Sequence, residues 1–129
     1  MTRYLTTKQI LRIHAVVIED FGGNPTVRDI GLIESAVARP QAAYGGQEAY
    51  GSLFEKAAAL ISSLAANHGF IDGNKRTAYV AFGLFLKQNG YELTANPIDA
   101  TAFVKDIVTH KLDEAAIAVW LKKHSAKVS

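Results

Sequence analysis

Apolar residues recur at helical spacing along most of the chain, and Gly and Pro mark where each run stops. Ile10, Ile13, Val17 and Phe21 share one face of a helix expected over Thr7–Phe21, closed by Gly22-Gly23. Asp29 is placed to N-cap a second helix, which turns Ile33 and Val37 inward and stops before Pro40. Ser52-Leu53-Phe54-Glu55 is a capping box that opens a third, with Leu53, Ala57, Leu60, Ile61 and Leu64 as its buried stripe. A fourth runs over residues 74 to about 89 and meets Gly90. Its Ala78, Val80, Ala81, Phe82, Leu84, Phe85 and Leu86 surround most of its circumference, which predicts the central helix of the fold. Asn96-Pro97 supplies an N-cap and a proline at the first helical position of a fifth. Asp113-Glu114 places two carboxylates in the first turn of a sixth, which ends in Lys122-Lys123-His124.

Two stretches lack this period. Residues 41–51 hold three Gly and two Tyr and read as an exposed excursion or short hairpin. Tyr91-Glu92-Leu93 reads as a short extended connector. There is no internal repeat or linker. The expectation is an all-α, six-helix bundle around a central buried helix, forming a single domain over residues 1–129.

Composition narrows the chemistry. With 49% hydrophobic and 20% charged residues, the chain is globular and not disordered. Fourteen Lys+Arg against 12 Asp+Glu leave a formal charge of +2, too small for the basic face of a nucleic-acid binder. Absence of Cys excludes disulfides, thiolate zinc sites and cysteine nucleophiles. The most apolar run, residues 57–66, is far shorter than the about 20 residues a membrane span needs. The first residues carry no apolar signal segment, so a cytoplasmic protein without membrane partners is expected.

One segment carries chemistry: His68-Gly69-Phe70-Ile71-Asp72-Gly73-Asn74-Lys75-Arg76-Thr77. A buried helix ends, a tight loop follows, and a new helix begins at Gly73-Asn74. The first turn of a helix offers unpaired N–H groups and the positive end of the macrodipole, a ready anion site. Lys75 and Arg76 add cations where the dipole disfavours them, which points to a phosphate-rich ligand. Asp72, one residue earlier, suits Mg²⁺, which takes one carboxylate and completes its shell with water and phosphate. His68 is the loop's only imidazole, the side chain suited to serve as a general base there. Each residue alone has a plainer reading: a helix-ending His, an Asp-Gly turn, an N-capping Asn74, a solvated basic pair. Their joint placement suits transfer of a phosphoryl or nucleotidyl group to a hydroxyl. His14, His110 and His124 have no such neighbours and read as structural.

The segment resembles the signature of the Fic/Doc (Fido) family, H-x-F-x-[DE]-G-N-G-R-x-x-R, and within it the Doc, or death-on-curing, branch. Lys75 stands where the Fic pattern has its second Gly, and Tyr79 where it has its last Arg; Doc toxins share both departures. Gly22-Gly23-Asn24, the run Arg28-Asp29-Ile30-Gly31-Leu32-Ile33-Glu34-Ser35-Ala36, Arg39-Pro40-Gln41 and Asn89-Gly90-Tyr91 extend the likeness over nearly the whole chain.

The resemblance implies a Fido-type bundle in which His68 deprotonates a target hydroxyl and Asp72 holds Mg²⁺. It implies that Gly73, Asn74 and Arg76 bind the phosphates of ATP, and that Phe70 anchors the loop. Residues 41–51 fall at the family's flap, which docks the target by strand-like pairing. Lys75 implies the reversed nucleotide pose of Doc toxins, with γ-phosphoryl transfer to a Thr of translation elongation factor Tu and arrest of translation. No Ser or Thr has Glu four residues later, so the self-inhibitory [ST]-x-x-x-E-[GN] motif of some Fic proteins is missing. Inhibition is then expected from a Phd-like antitoxin. The sequence leaves two alternatives open: a Fic-type AMP transferase, or a catalytically silent module that binds nucleotide or antitoxin.

Overall fold

The computed structural model describes residues 1–128. Six α-helices follow one another as α1 (Thr7–Phe21), α2 (Ile30–Ala38), α3 (Leu53–Asn67), α4 (Asn74–Gln88), α5 (Pro97–Val108) and α6 (Glu114–Lys123). Four short strands are added: β1 (Ala43–Tyr44), β2 (Gln47–Glu48), β3 (Tyr91–Leu93) and β4 (Ser125–Lys127). The helix starts follow their caps. Thr6, Asp29, Ser52, Asn96 and Asp113 each accept a first-turn N–H through the side chain, satisfying donors that have no partner within the helix. Past α2 the chain tightens into a single 3₁₀ turn, Arg39–Gln41, around buried Pro40.

The central helix is α3, which corrects the expectation that the fourth helix holds that place. Nine residues of α3 are buried, Lys56 and Ser63 among them, and it packs on α2, α4, α5 and α6. In α4 the six buried residues form one face (Thr77, Ala78, Ala81, Phe82, Phe85, Leu86), while Val80 is 43% exposed. Its apolar circumference is wider than its buried one because Val80 and Leu84 line grooves between α4 and α1. Ala57, Ala58 and Ala65 on α3 and Ala78 and Ala81 on α4 are fully buried, and the two helices pack on each other.

On α1 the buried residues are Ile10, His14 and Val17. Phe21, expected on that face, is 61% exposed. The connector after α4 is β3, and it pairs antiparallel with β4, Glu92 opposite Ala126. That C-terminal strand has no periodic pattern of its own and was not anticipated from the sequence.

Candidate active site

The loop between α3 and α4 is built by contacts from two sides. Its first residue, His68, caps α3 in the left-handed conformation at φ 51° and ψ 50°. A side chain there is disfavoured, so something must hold it. Arg28 does so: its Nε donates to the His68 carbonyl at 2.6 Å, and Nη2 donates to the Asn67 carbonyl at 3.1 Å. The Gly69 carbonyl accepts from the Arg28 and Asp29 N–H groups at 2.9 and 3.0 Å. A Cβ at Gly69 would lie 2.2 Å from Ile33 Cδ1, so glycine is what lets the loop press against α2. Phe70 forms a β-bridge with Val27, and the Ile71 N–H donates to the Thr26 carbonyl at 3.2 Å. Finally Asn24 N–H donates to Asp72 Oδ2 at 2.7 Å. Residues 24–29 thus form one wall of the loop.

Helix α1 forms the other. Buried His14 stacks on Phe70, with ring centroids 3.7 Å apart and planes within 7°, and its Nε2 lies 2.8 Å from the Asp72 carbonyl. Phe70 is itself buried, as an anchor must be.

Helix α4 opens differently from the other five. Its N-cap is Gly73, left-handed at φ 82°, and no side chain accepts from its first turn. Asn74, read from the sequence as an N-cap, instead occupies the first helical position. Its amide is committed to the loop, accepting from the Phe70 N–H at 3.1 Å and donating to the Phe70 carbonyl at 2.8 Å. What Asn74 can offer an anion is therefore its main-chain N–H. The positive end of α4 and its first-turn donors stay unneutralised by the protein, a geometry suited to phosphate.

The structure brings His68, Asp72, Gly73 and Asn74 together as one ordered turn. His68 and Asp72 are both exposed. Among the described residues neither His68 ring nitrogen makes a hydrogen bond, and of the two Asp72 carboxylate oxygens only Oδ2 does, which leaves Oδ1 able to coordinate a cation. No group of three or more metal-ligating side chains occurs among the described residues.

Lys75 and Arg76 diverge from that turn. They line a cleft of about 460 Å³ between α1, α4 and α5, with Val17, Phe21, Tyr79 and Val104, and neither His68 nor Asp72 lines it. Arg76 sits over the Phe21 ring, Cζ 3.8 Å from its centroid, which explains how Phe21 tolerates exposure.

Residues 41–51 hold the hairpin β1–β2. Gly45 and Gly46, at φ 59° and 82°, form its two-residue turn, a conformation that few other residues adopt. The base is fixed by Tyr50. Its hydroxyl accepts from Arg39 Nη2, and its carbonyl accepts from the buried Lys56 ammonium. Arg39 also meets Glu114 at 2.8 Å, and the hydrogen bond to that carboxylate raises the guanidinium pKa against the opposing effect of burial.

The sequence reading missed Arg28, Asn24 and His14 as parts of this site. His14 left one trace, a polar residue at helical spacing between Ile10 and Val17. Arg28 and Asn24 fall in the runs that carry the family likeness, but nothing in their spacing ties them to this loop, because their partners lie 40 and 48 positions away.

Comparison with known proteins bears on this arrangement. The Fic/DOC family model matches residues 4–86. The chain is similar to Toxin Doc of Mycolicibacterium smegmatis, 44% identical over 128 residues that cover 98% of this chain and 96% of that protein. It is also similar to the protein kinase doc of Escherichia phage P1, 34% identical over 95 residues covering 74% and 75%.

Proposed function

This chain belongs to the Fic/DOC family, and we propose that it is the toxin of a toxin–antitoxin pair. In this reading it is a Mg-ATP-dependent protein kinase that phosphorylates a Thr hydroxyl of elongation factor Tu. The observation that carries it is the start of α4, a helix N-terminus opened by a left-handed glycine and left without a side-chain cap. Directly before it stand an exposed base and an exposed carboxylate. The names of the two relatives support the toxin and kinase parts of the reading.

The residues fit the chemistry in named roles. His68, with no hydrogen bond at either ring nitrogen among the described residues, takes the proton of the target hydroxyl as its oxygen attacks the γ-phosphorus; the bond from that phosphorus to the β,γ-bridging oxygen breaks and ADP leaves. The N–H groups of Gly73, Asn74 and the rest of the first turn receive the phosphate oxygens, and Lys75 and Arg76 add positive charge to that end of α4 from the adjoining cleft. Asp72 would hold Mg²⁺, which when bound offsets the charge of the phosphates. The β1–β2 hairpin offers exposed main-chain edges for strand-like docking of the target segment.

A Phd-like antitoxin is the expected partner. Support comes from the apolar groove along α1 and α4, lined by Ile13, Val16, Val17, Val80 and Leu84, which suits the apolar face of a helix. No described helix is long and apolar enough to cross a membrane.

The test is to incubate the protein with elongation factor Tu and ATP labelled at either the α or the γ position, then weigh the target. Addition of one phosphate, with label from the γ position alone, is the expected result. An AMP adduct replaces the kinase reading with the AMP-transferase one, and an unmodified target sinks both as readings of action on that protein.

A further inference from the structure

We infer that His14 is a positioning residue that sets the direction of the Asp72–Gly73 peptide and thereby aims the Gly73 N–H at bound phosphate. This rests on the phosphate-binding reading of the α4 N-terminus given above. A carbonyl oxygen only accepts hydrogen bonds, so the 2.8 Å contact between His14 Nε2 and the Asp72 carbonyl requires the proton on Nε2. The imidazole is held in place by burial, at 3% exposure, and by its stack on Phe70. It therefore fixes the carbonyl toward α1.

A trans peptide points its C=O and N–H in opposite directions. With the Asp72 carbonyl turned in toward α1, the Gly73 N–H turns out, and it donates to no group among the described residues. Gly73 makes this arrangement possible and also makes it insecure. At φ 82° only glycine is comfortable, and a Cβ there would lie 3.3 to 3.5 Å from Ile18, Val17 and the His14 ring. Yet glycine also tolerates the flipped peptide, in which the carbonyl would face the phosphate and repel it. Asn74 secures the loop at Phe70 and Arg28 secures it at His68, but neither reaches this peptide. His14 is the group that selects between its two orientations.

The test uses the full chain, with His14→Phe to keep the ring and its stack but remove the donor, and His14→Gln to restore an amide donor. Mg-ATP binding is measured by calorimetry and the Gly73 amide is followed by NMR. His14→Phe is expected to weaken Mg-ATP binding about tenfold, in line with loss of a hydrogen bond to a charged group. It should also shift or broaden the Gly73 amide signal, and His14→Gln should recover most of both changes. An unmoved Gly73 signal in a folded His14→Phe protein overturns the inference, as does equal impairment by the two variants. The NMR arm needs no nucleotide, so a wild type that ignores Mg-ATP counts against the kinase reading while the Gly73 signal still judges His14. Should His14→Phe fail to fold, the ¹⁵N spectrum of the wild type decides: a proton on Nε2 supports the inference, and its absence overturns it.

Discussion

Arg28 and His68 are 40 positions apart in sequence, and the guanidinium of one holds the main chain of the other through a 2.6 Å bond from Nε to the carbonyl oxygen. A second bond, to the Asn67 carbonyl, lets the same side chain satisfy the acceptors exposed where α3 ends. Arg28→Met leaves both carbonyls to water and His68 in a left-handed conformation with less to hold it. It should lower stability by about 1–2 kcal/mol, the scale of hydrogen bonds to a charged but exposed group. It should also reduce turnover more than nucleotide binding. Thermal denaturation and steady-state kinetics check both effects, and wild-type turnover in the variant would show that His68 needs no such support.

His68 itself combines a strained backbone with an exposed ring, so function and stability should separate there. His68→Gly removes the base and the conformational penalty together. Transfer should fall by about 10²–10⁴-fold, as for loss of a general base. The melting temperature should hold or rise, because glycine is the preferred residue at a left-handed helix end and gains about 1 kcal/mol there. A destabilised variant would mean that the imidazole packs against the fold.

Asp72 has two duties that two substitutions can tell apart. Asp72→Asn keeps an oxygen for the Asn24 N–H but removes the charge, so stability should change little while Mg²⁺-dependent nucleotide binding weakens. Asp72→Ala loses the acceptor too and should cost about 1 kcal/mol more, the usual worth of one such bond. Magnesium titrations and melting curves on both proteins test this. Full activity of either in excess chelator would remove Asp72 from the metal's shell.

Lys75 stands on the first turn of α4, on the wall of the cleft that runs to α5. A glycine there would vacate space and take away a point charge. Lys75→Gly should therefore lower γ-phosphoryl transfer, and any AMP adduct should be confined to this variant or to one that also carries Tyr79→Arg. Mass spectrometry of the modified target reads the outcome. An AMP adduct made by the wild type would defeat the assignment of Lys75 as the residue that selects the reaction.

Local chemistry was legible in the sequence wherever a few consecutive residues decide the outcome. Caps at Asp29, Ser52 and Asn96 set three helix starts, the Asp113-Glu114 pair marked a fourth although Asp113 proves to be its cap and not part of its first turn, and Gly45-Gly46 marked the hairpin turn. The compact segment from His68 to Arg76 marked the candidate site, because its members are neighbours along the chain. Periodicity could not say which apolar helix lies at the centre. Both α3 and α4 carry enough apolar residues, and only the arrangement of neighbours leaves Val80 in a groove while burying Lys56 and Ser63. The C-terminal strand likewise exists only because β3 offers it an edge. The supports of the site belong to the same class. His14, Asn24 and Arg28 act on residues 40 to 58 positions away, and a contact between distant segments leaves no spacing in the chain. Hydrogen bonds need donor and acceptor within about 3 Å, and folding alone brings these pairs that close.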